Sequence, residues 1–241
     1  MVRHAYDRRR LIPGIAWLLL ASLPCPLTGQ QPVPASLGAP LEIEELARRG
    51  RPSTVTVLAI DRAGTPTGLG SGVVIRDGKT VLTNWHVLRG ASRAVVITAD
   101  GSKYSDVSFL EGDSKMDIAL LTVRGGALTP VPMTVDIPPP GARVLAIGAP
   151  RGLMQTVSDG IVSATRTYRN HLLVQITAPI SPGSSGGPVF DKYGRVFAIA
   201  TSGIVDGQAL NFATPIRYAV ALLPLATAPR SINSVFSRPS R

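Results

Sequence analysis

The chain has 241 residues, 44% of them hydrophobic and 17% charged, which excludes a disordered polypeptide and supplies enough apolar material for a packed core. Its 25 lysines and arginines against 15 acidic residues give a formal net charge of +10. These bases are scattered and aromatics are only 5%, so no aromatic-interleaved basic face points to nucleic acid.

Residues 1–29 read as an export signal. Arg8-Arg9-Arg10 form a basic start, and residues 11–23 are mostly apolar but short for a spanning helix. Cleavage near Gly29 would leave 21 basic against 14 acidic residues, a periplasmic or secreted protein and no stable membrane span. It would also remove Cys25, the chain's one cysteine, so packing alone would hold the mature fold. Retention as a membrane anchor is the alternative. Arg8-Arg9 fits general secretory or twin-arginine export.

Residues 30–50 make a Pro-rich spacer and a short helix. Glu42, Glu44 and Glu45 come early and Arg48 and Arg49 late, as the helix dipole favours, and Gly50 and Pro52 end it. Strands follow. Residues 54–60 are rich in β-branched side chains, and residues 61–70 read as a loop. Residues 73–75 and 80–83 flank Asp77-Gly78, a hairpin signal. Residues 94–97 and 104–110 pair around Asp100-Gly101, and residues 118–123 complete a first set of six. Residues 125–141, with five prolines, read as a linker. A second set covers 143–147, 155–165, 172–176, 188–190, 196–200 and 209–213. A final helix over 216–225 is broken by Pro224, and residues 226–241 read as a disordered polar tail. With 24 glycines and 21 prolines, many short strands point to an all-β fold; spacing alone allows either barrels or a sandwich.

The chemistry centres on Ser181-Pro182-Gly183-Ser184-Ser185-Gly186-Gly187-Pro188. Proline and glycine exclude a helix interior or a central strand, leaving a tight loop with bare backbone N–H groups. A serine nucleophile needs donors of that kind facing the oxyanion, although a plain hairpin turn is the commoner use of such a loop. It also needs a base, and the base needs an orienting group. Of three histidines, His4 lies in the leader and His171 at a solvated strand start. His86 lies in Thr83-Asn84-Trp85-His86-Val87, where a strand gives way to a turn. Asp117 opens the apolar strand Ile118-Ala119-Leu120-Leu121; Asp113 is a rival in a polar turn.

These three segments, in the order His, Asp, Ser, resemble the signatures of chymotrypsin-like serine proteases, and more closely those of the bacterial HtrA/DegP type. Gly70-Ser71-Gly72-Val73-Val74-Ile75, residues 146–153 and 156–164, and Asn211-Phe212-Ala213-Thr214-Pro215 extend the likeness over roughly residues 50–218. The resemblance implies an all-β fold of two packed six-stranded antiparallel β-barrels, about 51–124 and 142–215, with short helices at the N- and C-terminal ends. It implies His86, Asp117 and Ser185 as the catalytic triad of a serine endopeptidase, and an oxyanion hole from Gly183, Ser184 and Ser185. Substrate-binding residues would be Ile180, Thr201, Ser202, Gly203 and Ala213, with Pro179 and Phe212 nearby. None is charged, so small or medium aliphatic side chains are expected at the cleaved position of unfolded or misfolded polypeptides. No cofactor or metal is implied, and a homotrimer is among the assemblies the resemblance allows. Many relatives of this type carry a peptide-binding PDZ domain, which residues 226–241 are too few to form. The chain departs from the type where Ser184 replaces an asparagine and Thr177-Ala178-Pro179 replaces a Thr-Asp-Ala run. An esterase on the same triad, or a non-catalytic or activator-dependent binder of unfolded chains, are the competing readings.

Overall fold

The computed structural model describes residues 38–149, 155–201 and 211–237; the leader and Ser202 and Gly203 lie outside these. The first half holds β1 (Thr54–Ile60), β2 (Pro66–Ile75), β3 (Thr80–Thr83), β4 (Arg93–Ile97), β5 (Lys103–Tyr104), β6 (Val107–Asp113) and β7 (Ile118–Val123). They form one antiparallel sheet in the order β5-β4-β1-β2-β3-β7-β6. The second half holds β8 (Arg143–Gly148), β9 (Thr156–Tyr168), β10 (His171–Ile176), β11 (Pro188–Phe190), β12 (Val196–Thr201) and β13 (Asn211–Pro215). These close into a six-stranded antiparallel barrel in the order β10-β13-β12-β11-β8-β9. The fold is mostly β with short helices, a closed barrel beside a half-barrel sheet.

The strands read as continuous apolar runs because both faces are buried, each against a different core. In β7, Ala119, Leu121 and Val123 enter the core of the first half, with Val55, Val57 and Phe109. Between them, Ile118 and Leu120 point the other way, into a core shared by the two halves. β8 does the same from the other side. Leu145 and Ile147 join the shared core, and Val144 and Ala146 face the barrel interior with Val174 and Phe197. The period of two thus stitches three cores together.

Three expectations are corrected here. The stretch read as a loop over 61–70 is strand from Pro66 onward, paired along β1 with Val57 opposite Gly70. The strand expected over 104–110 is divided between β5 and β6, which raises the first set to seven. Residues 226–237, within the stretch read as a disordered tail, are structured. Arg230 exchanges both backbone hydrogen bonds with Phe109 at the edge of β6. The helix α3 (Ile232–Phe236) then buries Ile232 and Phe236 in the first core. Ile232 and Phe236 are four residues apart, one turn of helix, so they share a face. Residues 125–141 bond to both halves rather than hanging between them: Val131 N–H donates to Val74 O, and Thr134 N–H to Val196 O.

Both ends of the described chain cross over. α1 (Ile43–Gly50) precedes the first sheet but seats Leu46 and Ala47 in the shared core beside Ile147 and Phe190. Just before α1, Leu41 N–H donates to Lys192 O in the second half. α2 (Arg217–Leu222) follows the barrel, and the strand-and-helix segment after it returns to the first sheet. Among the described residues no helix is long and apolar enough to cross a membrane.

Candidate active site

Strand register brings the first two candidate residues together. Thr83 ends β3 opposite Ala119 near the start of β7. The 3₁₀ turn Trp85–Leu88 leaving β3 therefore sits beside the residue that opens β7. That residue is Asp117, held at φ +55°, a left-handed conformation that aspartate tolerates better than most side chains. Its backbone is pinned there because Asn84 Nδ2 donates to Asp117 O at 2.7 Å.

Three donors converge on the Asp117 carboxylate. His86 N–H reaches Oδ1 at 2.9 Å. His86 Nδ1 lies 2.7 Å from Oδ2, and Thr201 Oγ1 donates to the same oxygen at 3.0 Å. With Nδ1 given to a carboxylate, the imidazole carries its proton there and offers Nε2 as an acceptor. The arrangement suits a base that collects a proton at Nε2 and is steadied by an anion behind it. Side-chain exposure of 31% for His86 leaves its outer edge open to solvent.

The serine loop comes from the second half and is clamped by the first. Ser71, in β2, donates its N–H to Ser185 O at 2.7 Å and its Oγ to Gly183 O at 2.8 Å. Ser71 Oγ in turn accepts from Ala149 N–H. Ser181 to Ser184 has the hallmarks of a type II turn. Pro182 is second, Gly183 third at φ +98°, and Ser184 N–H donates to Ser181 O. This leaves Gly183 N–H outside the turn's own hydrogen bond. Gly186, at φ +86°, touches the strand that leads to His86. A Cβ there would come within 2.3 Å of Ser71 O and 3.0 Å of Asn84 N, so only glycine lets the serine loop approach so closely. Ser185 itself is 2% exposed.

The remaining predicted residues separate. Ile180 is half-buried at the edge of the barrel core, and Ala213 is wholly buried within that core. Phe212 is buried beside it, and Pro179 is exposed. Thr201 donates its hydroxyl to Asp117. Ser184 is buried in the turn. Sequence reasoning missed Asn84 and Ser71 as supports. Each carried a signal: a polar residue just before the histidine, and a hydroxyl between two strand glycines.

A family model for the trypsin-like peptidase domain matches residues 70–199. The periplasmic serine endoprotease DegP-like of Pseudomonas putida is 35% identical over 191 residues, covering 76% of this chain and 40% of its own length. Serine protease HhoB of Synechocystis is 37% identical over 166 residues, covering 63% of this chain and 38% of its own length. The chain therefore spans about two fifths of the curated relatives it matches. The crystal structure of the serine endoprotease from Yersinia pestis superposes with a TM-score of 0.69 at 30% identity, covering 78% of this chain and 68% of that one. With the family match spanning more than half of its residues, and with relatives and a solved structure of the same kind, this chain belongs to the trypsin-like peptidase domain family.

Proposed function

We propose that the protein is an exported serine endopeptidase whose triad is Ser185, His86 and Asp117. The observation that carries the reading is the 2.7 Å contact of His86 Nδ1 with a carboxylate that takes two further donors. Ser185 Oγ attacks the substrate carbonyl carbon while His86 Nε2 takes its proton. The tetrahedral oxyanion is held by backbone N–H groups of the Gly183–Ser185 loop, each donor being worth roughly 10²–10³ in rate. His86 then returns the proton to the leaving amine, the acyl-enzyme forms, and water reverses the sequence. Asp117 holds the imidazole tautomer throughout.

Polypeptides in unfolded form are the proposed substrates, cut after small or medium aliphatic residues. The support is the absence of charge on Pro179 and Ile180, the two described candidates that are not buried. Export to the periplasm rests on the basic and apolar leader and on the periplasmic relative. The test is labelling with a fluorophosphonate probe. The wild type should react covalently, and Ser185→Ala and His86→Ala should not. A folded wild type that stays unlabelled, or a Ser185→Ala protein that still labels, would overturn the assignment.

A further inference from the structure

Beside the triad lies a cleft of about 900 Å³ whose near end is formed by His86, Asp117 and Thr201 and whose far end the reaction itself does not use. It runs from His86 and Asp117 toward the tip of the β9–β10 hairpin. Three cations line it, each from a different segment. Arg89 follows the histidine turn, Lys115 lies in the turn between β6 and β7, and Arg169 sits at the hairpin tip. All three are exposed, and none has a carboxylate within ion-pair distance among the described residues.

The acids nearby are already engaged. Asp117 faces His86 and Thr201. Asp113 uses its Oδ1 on the N–H groups of Lys115 and Met116, which fixes the turn that presents Lys115. The hairpin tip is equally well defined. Arg169 and Asn170 both have positive φ, +48° and +66°, the pattern of a tight two-residue hairpin turn, and the Arg169 guanidinium lies 5.2 Å from the Tyr168 ring centre. In the same cleft, His171 carries a buried Nδ1 with no hydrogen-bond partner among the described residues. Met116 and Leu172 supply apolar wall between these polar groups. The cleft is a positively charged groove in which the turns carrying Lys115 and Arg169 are fixed before a ligand arrives.

We propose that this cleft selects polypeptide segments bearing glutamate or aspartate, so that cleavage occurs close to an acidic residue lying in the Arg89–Lys115–Arg169 groove. The inference rests on the peptidase reading for the cleavage, and on the charge of the cleft alone for the binding. It adds a second requirement to the aliphatic preference at the cleaved bond. Each exposed ion pair contributes a factor of about two, so three together should give roughly fivefold to tenfold discrimination, weakening as salt rises.

The experiment uses a peptide series with one aliphatic cleavage site and a single glutamate moved through four positions on either side, each paired with its glutamine twin. Binding is read by fluorescence anisotropy on Ser185→Ala protein, and cleavage by the wild type. At least one glutamate peptide should bind about fivefold more tightly than its twin and be cut with correspondingly higher kcat/KM. In the combined variant Arg89→Ser, Lys115→Ser, Arg169→Ser that ratio should fall toward one. A ratio below about twofold at every position, no binding of any peptide, or a ratio unchanged in the combined variant would each overturn the inference. Glutamate-selective binding without cleavage would uphold the groove and defeat the peptidase reading instead.

Discussion

Replacing Phe236 with alanine tests whether α3 holds the histidine turn in place. The Phe236 ring lies 4.4 Å, centre to centre, from Trp85 and 5.3 Å from Phe109. Trp85 is the residue before His86, and Gly90 N–H, just past the same turn, donates to Phe236 O. Burial of a phenylalanine removes on the order of 200 Å² from water. At about 25 cal/mol per Å², and with the Cβ retained, truncation loses about 3 kcal/mol of transfer free energy. A residual cavity would add to this, but α3 is only five residues long and can settle into the gap. The net expectation stays at about 3 kcal/mol. In a domain of about 200 residues that lowers Tm by roughly 6–12 °C. Urea unfolding followed by tryptophan fluorescence measures the free energy, and a thermal scan measures Tm. A loss under about 1 kcal/mol would refute the reasoning, because the aromatic cluster would then be decoration on a core that stands without it. Fluorophosphonate labelling of the variant should slow as well, since the turn bearing His86 loses its backing.

Two further outcomes are expected. Thr201→Val removes one of three donors to Asp117, a hydrogen bond to a charged group worth about 1.5–3 kcal/mol. It should lower kcat/KM by about tenfold or more while Thr201→Ser retains most of it, and a valine variant equal to the wild type would discount the contact. Asp77 is a pH-dependent case. Burial pushes its carboxyl up, but N–H groups of Lys79 and Thr80 and the Thr80 hydroxyl outweigh this and hold it below the usual aspartate range. The folded value is thus the lower one, so the stability it lends is present above about pH 3.9 and is lost as pH falls through the folded value. Asp77→Asn should cost about 1 kcal/mol at pH 7, the exposed position being screened by solvent, and progressively less toward pH 3. An equal cost at both pH values would exclude the carboxylate as the cause.

Much of this was legible in the residues, and the failures have physical causes. Strands buried on both faces announce themselves as apolar runs, so β7, β8 and β12 were easy to place. His86, Asp117 and Ser185 stood out because each interrupts a regular pattern at an element's edge. The start of β2 was missed because Gly68 and Gly70 look like loop residues. They are strand glycines, chosen because a Cβ at Gly68 would come within 2.2 Å of Val87 O, and one at Gly70 within 3.0 Å of Ser185 O. The tail was missed because two apolar residues one turn apart are too short a signal; only the aromatic surface of Trp85 and Phe109, far earlier in the chain, gives them a place to bind. The hydrogen bond from Thr201 to Asp117 was not legible for a similar reason. The partners lie 84 residues apart, across the two halves, and no local pattern encodes that distance.

The crossed ends of the chain bear on how the molecule assembles. A cut within residues 125–141 would yield two fragments, each lacking a piece of its own cover. The N-terminal fragment would expose the seat of Ile232 and Phe236, and would carry α1, which belongs on the other fragment's barrel. Each fragment would thus present a vacant apolar socket and hold the plug for its counterpart. Such pieces are built to recombine, and neither should be soluble for long alone. On the ribosome the first half must wait for residues 230–236, which are made after the whole second half, before its core is sealed.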